Sequence, residues 1–185
     1  MPDSPQRVYL DSCVMLSYIN GNPARLPNID ALLDEGRRGE IELLTSVVSI
    51  TEVAFGKAEQ DGREPDQATL DKIDSLWRPP SPIKLVDFYD ALAEEARTVI
   101  RLAIPLGASP IKPMDAIHIA TAKRWSASLF CTYDEKLPPW AETLGLLIEE
   151  PSPLAPHLPW DGDPNLPDAT ASSPPPGQSG DAPLA

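Results

Sequence analysis

Short runs of apolar, β-prone residues alternate with segments of helical periodicity over the first 150 residues of this chain. The apolar runs are nearly continuous, as is typical of strands that are buried on both faces of a sheet. Helices between such strands provide the crossover connections that parallel pairing needs. The pattern therefore predicts a three-layer α/β/α sandwich with a central parallel five-stranded sheet. The predicted strands are 7–11, 41–46, 83–87, 127–132 and 145–150.

Apolar residues that recur every three or four positions predict helices between these strands. The segment 49–62 is predicted as one helix that ends near Gly62, and 88–104 as one long helix. The other predicted helices are 12–20, 28–40, 66–77 and 114–125, and 133–143 is predicted as a turn or short helix.

The last part of the chain differs in composition from the rest. Residues 151–185 contain no Lys or Arg and are rich in Pro, Ser, Gly and Asp. Such a segment cannot bury enough apolar surface to offset the conformational entropy that ordering it would remove. The sequence therefore predicts one folded domain at 1–150 and a Pro-rich, acidic, disordered tail at 151–185.

Charge and cysteine content narrow the class of protein. The formal net charge of -13 argues against a chain-wide basic surface for nucleic acid, although it allows a local basic strip. Cys13 and Cys131 have no zinc-binding spacing and make no disulfide framework. The start, "MPDSPQRVYLD", lacks an apolar signal region, and no run approaches the length of a membrane span. We therefore expect a cytoplasmic protein that does not associate with membranes.

Four acidic residues stand at the ends of predicted elements, and each has a structural explanation of its own. Asp11 could N-cap the helix after the first strand, and Asp115 lies in a first helical turn, where the helix dipole favours an anion. The other two lie in possible capping boxes, which pair Ser49 with Glu52 and Thr132 with Glu135 around Asp134.

The topology of a parallel sheet would bring the same acids together at one edge. The carboxyl ends of parallel strands meet at one edge of a sheet, where ligands bind. If the first strand is central and the second and fourth lie beside it, Asp11, Glu52 and Asp134 converge there, next to the helix that Asp115 begins. Asp87 ends the third strand, and it is too far away to join them if that strand lies at the sheet edge.

Converging carboxylates need a counter-charge. Two like charges about 4 Å apart repel by roughly 4 kcal/mol at an effective dielectric constant near 20. Some of the acids must therefore be protonated, or a cation must lie among them. Mg²⁺ is typically held by a few carboxylates and water, and it can polarise a phosphate and lower the pKa of a bound water. The sequence therefore favours a metal site for phosphate chemistry.

Four stretches carry a resemblance to a known family: "YLDSCVML", "SVVSITEVAFG", "KPMDAIHIATA" and "LFCTYDEKL". In this order and spacing, over about residues 7–150, the chain resembles PIN-domain ribonucleases, in particular the VapC-like toxins of bacterial toxin–antitoxin pairs. The resemblance implies a PIN-like fold, Mg²⁺ or Mn²⁺ as cofactor, a single-stranded RNA substrate, a cognate antitoxin and a homodimer. The positions that match the family's acids are Asp11, Glu52, Asp115 and Asp134, and Ser12 and Thr132 match supporting hydroxyl residues.

The leading hypothesis is a metal-dependent endoribonuclease, the toxin of a type II toxin–antitoxin pair. Asp11 and Asp115 are predicted metal ligands, with Glu52 and Asp134 acting directly or through water. The alternatives are a non-catalytic PIN-like module that binds RNA or protein, and a small-molecule phosphohydrolase. The latter is disfavoured because Cys13 occupies the position of a second aspartate. His118 is interpreted as a core or near-site histidine rather than a catalytic one.

Overall fold

A parallel five-stranded sheet forms the centre of the computed structural model, which describes residues 5–54, 56, 61, 62, 64, 66–106 and 109–153. The strand order is β3-β2-β1-β4-β5, and every neighbouring pair is parallel. This arrangement confirms the predicted fold class, with the first strand central and the third at the edge. The strands are β1 Gln6–Leu10, β2 Ile41–Ser46, β3 Ile83–Val86, β4 Leu129–Cys131 and β5 Ile148–Glu149.

Helices connect the strands and cover both faces of the sheet. Their starts follow local sequence signals: the Asp66 side chain accepts a hydrogen bond from the Thr69 N–H, and Pro113 takes a first helical position, where its missing N–H is harmless. The helices are α1 Ser12–Ile19, α2 Leu26–Arg38, α3 Ser49–Glu52, α4 Gln67–Trp77, α5 Asp90–Arg101, α6 Ala103–Leu106, α7 Pro113–Arg124 and α8 Ala141–Leu144, with a 3-10 helix at Pro138–Trp140.

Two hydrophobic clusters lie on opposite faces of the sheet. Successive residues of β1 point to opposite faces, so Val8 and Leu10 join the cluster that includes α1, α2 and α4, while Tyr9 joins the cluster of α5 and α7. Phe130 of β4 lies beside Tyr9, with ring centroids 5.2 Å apart. The central strands are thus buried on both sides, as their apolar sequences predicted.

Two predicted helices were wrong in extent. The helix predicted at 49–62 ends at Glu52 in the described part, because the buried Val53 leaves helical geometry at φ -99°, ψ 28°; much of the remainder lies outside the described residues. The helix predicted at 88–104 begins at Asp90 and divides near Leu102 into α5 and α6.

The chain divides into the units Met1–Leu154 and Ala155–Ala185. The tail predicted at 151–185 lies outside the described residues, except for 151–153, of which Pro151 is buried. None of the helices that the structure describes is long and apolar enough to cross a lipid bilayer.

Candidate active site

Asp11 lies where β1 gives way to α1, and its surroundings fix both carboxylate oxygens. The backbone N–H of Asp11 donates to the Cys131 carbonyl at 3.0 Å, which continues the pairing of β1 with β4. Oδ1 accepts from the Ser12 N–H at 2.7 Å, so Asp11 caps α1. Oδ2 accepts from the Thr132 hydroxyl at 2.7 Å and from the Cys13 thiol at 3.1 Å. Asp11 is only 6% exposed, which makes it a buried carboxylate with a fixed orientation.

Glu52 is brought to Asp11 by residues of two other elements. The Ser12 hydroxyl donates to Glu52 Oε2 at 2.6 Å, and His118 Nε2 lies 2.5 Å from the same oxygen. His118 Nε2 also lies 3.9 Å from Asp11 Oδ1. The last residue of α3 is thereby joined to the start of α1 and to α7.

The capping-box interpretation of Glu52 was wrong. The N-cap residue of α3 is Val48, and no side chain caps this helix. The Ser49 hydroxyl is instead hydrogen-bonded to the Thr45 hydroxyl at 2.8 Å. Since Glu52 bonds Ser12 and His118, its carboxylate has no part in starting α3.

A buried chain of hydrogen bonds holds His118 in place. The Ser46 N–H donates to the Tyr9 hydroxyl oxygen at 2.9 Å, and that hydroxyl lies 2.7 Å from His118 Nδ1. Because the hydroxyl proton of Tyr9 is free to donate, we assign Nδ1 as the acceptor and Nε2–H as the donor to Glu52. His118 is 1% exposed and bonds a carboxylate, as the sequence interpretation favoured.

Asp134 follows β4 and is tied to Asp11 through one hydroxyl. Thr132 Oγ1, which donates to Asp11, accepts from the Asp134 N–H at 3.0 Å. The proposed capping box of Thr132 with Glu135 was wrong: Glu135 is exposed in a turn, and no helix begins there. Thr132 thus links the backbone of one acid to the side chain of another.

Asp115 lies in the first turn of α7, partly buried beside the other acids. Burial raises the pKa of Asp115, and the negative charges of Asp11 and Asp134 raise it further. The positive charge of Lys112 acts in the opposite direction on this pKa but does not offset the rise. Asp115 therefore occupies a site in which a negative charge is destabilised unless a cation is present.

Glu52 has the opposite electrostatic character. Burial alone would raise its pKa, but the hydrogen bonds from His118 and Ser12 outweigh burial, and the pKa of Glu52 is lowered. The negative charge of Glu52 is therefore stabilised by its neighbours, whereas the negative charge of Asp115 is destabilised by its surroundings. The four acids are not equivalent.

The donor atoms suit a hard divalent cation. Carboxylate oxygens are the ligands that Mg²⁺ prefers, and this ion commonly keeps several waters and uses only one or two carboxylates. Among the described residues, no three or more His, Cys, Asp or Glu side chains already form a metal-binding group. A site of one or two carboxylates completed by water would fit these donors, with Asp11 and Asp115 as the candidate ligands.

Other candidate groups do not belong to a reactive centre. Burial raises the pKa of the Cys13 thiol and of the Cys131 thiol to about 12, so neither is a thiolate nucleophile at neutral pH. Asp87 is exposed at the end of the edge strand β3, away from the acids that follow β1 and β4. The sequence interpretation missed Tyr9, because a tyrosine within an apolar run reads as a core residue; its one signal was a hydroxyl in a strand buried on both faces.

The profile of the PIN domain family matches residues 8–141. The chain belongs to the PIN domain family. It is 40% identical over 88 residues to Ribonuclease VapC46 of Mycobacterium tuberculosis, a match that covers 46% of this chain and 65% of that protein. The aligned part therefore spans slightly less than two thirds of the relative.

Solved structures share the fold at low sequence identity. VapBC2 from Rickettsia felis, bound to a DNA fragment from its promoter, matches with a TM-score of 0.58 at 15% identity, over 78% of this chain and 98% of that one. VapBC-1 from nontypeable Haemophilus influenzae matches with a TM-score of 0.56 at 13% identity, over 78% and 98%. These likenesses establish the common fold.

Proposed function

We propose that this chain is a metal-dependent endoribonuclease that hydrolyses phosphodiester bonds of single-stranded RNA, with Mg²⁺ or Mn²⁺ as its cofactor. The observation that carries the proposal is the pairing of the buried Asp11 with Asp115, whose pKa is raised by burial and by its acidic neighbours. Such a pair is unfavourable by itself and becomes favourable around a cation.

Asp11 and Asp115 would hold the ion, with Glu52 and Asp134 contributing directly or through water. When bound, the ion lowers the pKa of water and offsets negative charge on the phosphate during hydrolysis. The chain's own residues orient these acids: the Thr132 hydroxyl fixes Asp11, and His118 and Ser12 fix Glu52. Hydrogen bonds of this kind hold metal-binding carboxylates in one orientation.

We further propose that the chain is the toxin of a type II toxin–antitoxin pair. Support comes from the name of the 40% identical relative, Ribonuclease VapC46, and from the VapBC complexes that share the fold. The partner would be a cognate antitoxin that places a basic side chain among the acids and so blocks the site. A homodimer is the proposed assembly of the toxin itself.

The test is cleavage of single-stranded RNA by the purified chain with Mg²⁺ or Mn²⁺, and with a chelator. Glu52→Gln should lower the cleavage rate steeply, because Gln keeps the hydrogen-bond acceptor but removes the charge. Thr51→Ala is the matched control on the same helix and should keep cleavage, since Thr51 is exposed and its hydroxyl donates to the Val48 carbonyl at 2.7 Å.

If the wild-type chain cuts no RNA with metal supplied and any partner removed, a non-catalytic module that binds RNA or protein replaces the nuclease. Equal cleavage by Glu52→Gln and wild type would show that the charge of Glu52 is not needed for cleavage. Cleavage that persists in the chelator would show that the reaction does not depend on a metal ion.

A further inference from the structure

A cleft opens beside Asp115 at the start of α7. It has a volume of about 620 Å³ and lies between the segment 109–112 and the 3-10 helix Pro138–Trp140 with α8. Ligand pockets commonly measure about 300–1,000 Å³. We call it the Trp140 cleft, after the aromatic residue in its lining. Because Asp115 lines this cleft, a molecule that binds at Asp115 also lies next to the cleft.

The lining combines apolar surface with two cations. Ile111, Leu137 and Trp140 provide apolar surface, and Trp140 is partly buried against the core, which holds its indole in place. Lys112 and Lys136 are exposed and line the same cleft as Asp115. In a chain of net charge -13, two lysines next to the acidic edge form a local exception to the prevailing charge.

This combination matches one ligand chemistry. Proteins bind single-stranded nucleic acid by stacking bases on aromatic side chains and by placing cations along the phosphate backbone. A flexible strand can put a phosphate at the acids and an adjacent base in an apolar cleft at the same time. A peptide would use the apolar surface, but it has no phosphate to pair with lysines on the side of Asp115.

We propose that the Trp140 cleft binds a nucleobase of single-stranded RNA adjacent to the phosphate at Asp115, with Trp140 stacking on the base and Lys112 and Lys136 contacting the backbone phosphates. The inference rests on the proposed function and adds the position of the substrate. Trp140 and the two lysines would bind the substrate directly, away from the bond that is cut.

The first experiment measures affinity apart from cleavage. A fluorescein-labelled single-stranded RNA of roughly 10 nucleotides is titrated with full-length protein in a chelator, and anisotropy reports the Kd. Trp140→Leu should weaken binding about 5- to 150-fold, because it removes stacking on one base. Trp140→Phe should keep most of the affinity. Trp125→Leu is the matched control, since Trp125 is also partly buried against the same cluster but lies at the far end of α7.

The second experiment tests the lysines through salt. Lys112→Gln and Lys136→Gln should each reduce the slope of log Kd against log salt by about 0.7, the value for one phosphate contact on a single strand. Lys84→Gln removes the same charge on the edge strand β3 and should leave the slope unchanged. Both cleft lysines are exposed, so these variants still test the cleft if Trp140→Leu fails to fold.

The outcomes separate this inference from the nuclease proposal. If wild type binds RNA in a Trp140-dependent way but cuts none, the proposed role of the Trp140 cleft is supported and the proposed nuclease activity is overturned. Cleavage by wild type, with unchanged Kd and KM in Trp140→Leu, Lys112→Gln and Lys136→Gln, would overturn the cleft and keep the nuclease; the cleft would then suit a protein segment instead. No measurable RNA affinity in wild type, with or without metal, would overturn the cleft, and the cleavage assay with metal would decide the nuclease separately.

Discussion

At the scale of single residues, hydroxyl groups connect the acidic edge to the core. Tyr9 is fully buried, yet its hydroxyl accepts from Ser46 and meets His118, which holds Glu52. Burial raises the pKa of Tyr9 far above its usual range, so the group stays a neutral donor and acceptor at any working pH. One phenol oxygen therefore joins the last residue of β2, through His118, to an acid on α3.

Tyr9→Phe should lower the free energy of unfolding by about 1–3 kcal/mol, because the buried Ser46 N–H loses its partner. Urea denaturation followed by circular dichroism measures the change. Tyr133→Phe is the matched control: the Tyr133 hydroxyl oxygen is buried and has no hydrogen-bond partner among the described residues, so its removal should be nearly neutral or stabilising. Equal losses in the two variants would contradict the role of the Tyr9 hydroxyl.

Asp115→Asn should abolish metal-dependent cleavage, yet leave the metal-free protein at least as stable as wild type at pH 7. The folded state raises the pKa of Asp115, so it binds the proton more tightly than the unfolded chain does. The associated stability is present below the usual pKa of 3.8 and is lost as pH rises through the folded value. Asn is never ionised and avoids that loss.

Thermal melts of Asp115→Asn and wild type in a chelator, from acid to neutral pH, check this sign. Their difference should shrink as the pH falls. With Mg²⁺ added, wild type should gain more stability than the variant. Asp87→Asn, at an exposed position after β3, should track wild type throughout. An Asp115→Asn protein that melts well below wild type at pH 7 in the chelator would contradict the argument.

At the scale of elements, the strands were predictable because their apolar runs are continuous, and parallel order followed from the helices between them. The extent of the helix after β2 was not, because apolar residues recur beyond Glu52 in the sequence, whereas the backbone leaves helical geometry at the buried Val53. The acids could be placed at one sheet edge from strand order alone. Their hydrogen-bond partners could not, since sequence does not say which hydroxyl of a neighbouring element faces them.

β4 is a short central strand, and its contribution to the core can be measured. β4 has three residues, all buried, and Phe130 stacks on Tyr9 with an interplanar angle of 11°. Phe130→Ala should destabilise the fold by about 3–5 kcal/mol through lost burial and the cavity it leaves. Phe88→Ala, at a position 37% exposed, should change stability much less. Chemical denaturation of both variants gives the comparison, and similar losses would show that β4 does not anchor the core.

At the scale of the whole molecule, composition predicted a boundary near residue 150, and the described chain places a buried Pro151 just beyond it. A truncation should therefore retain that proline. Removal of 155–185 should leave the melting temperature within about 2 °C of the full chain, because no part of the described core is removed. Differential scanning calorimetry measures it. A drop of roughly 10 °C would show that the tail packs on the domain.

The hydrogen bond between Thr132 and Asp11 joins residues 121 positions apart. Such a contact forms only after the chain has closed a long loop, and long-range contacts of this kind form late in folding. A nascent chain of which only the first hundred residues have been made contains Asp11 and Glu52 but neither Asp115 nor Asp134. The acidic centre therefore cannot exist on a half-made polypeptide, and the proposed nuclease is inert beside the messenger that encodes it until synthesis of the domain is almost complete.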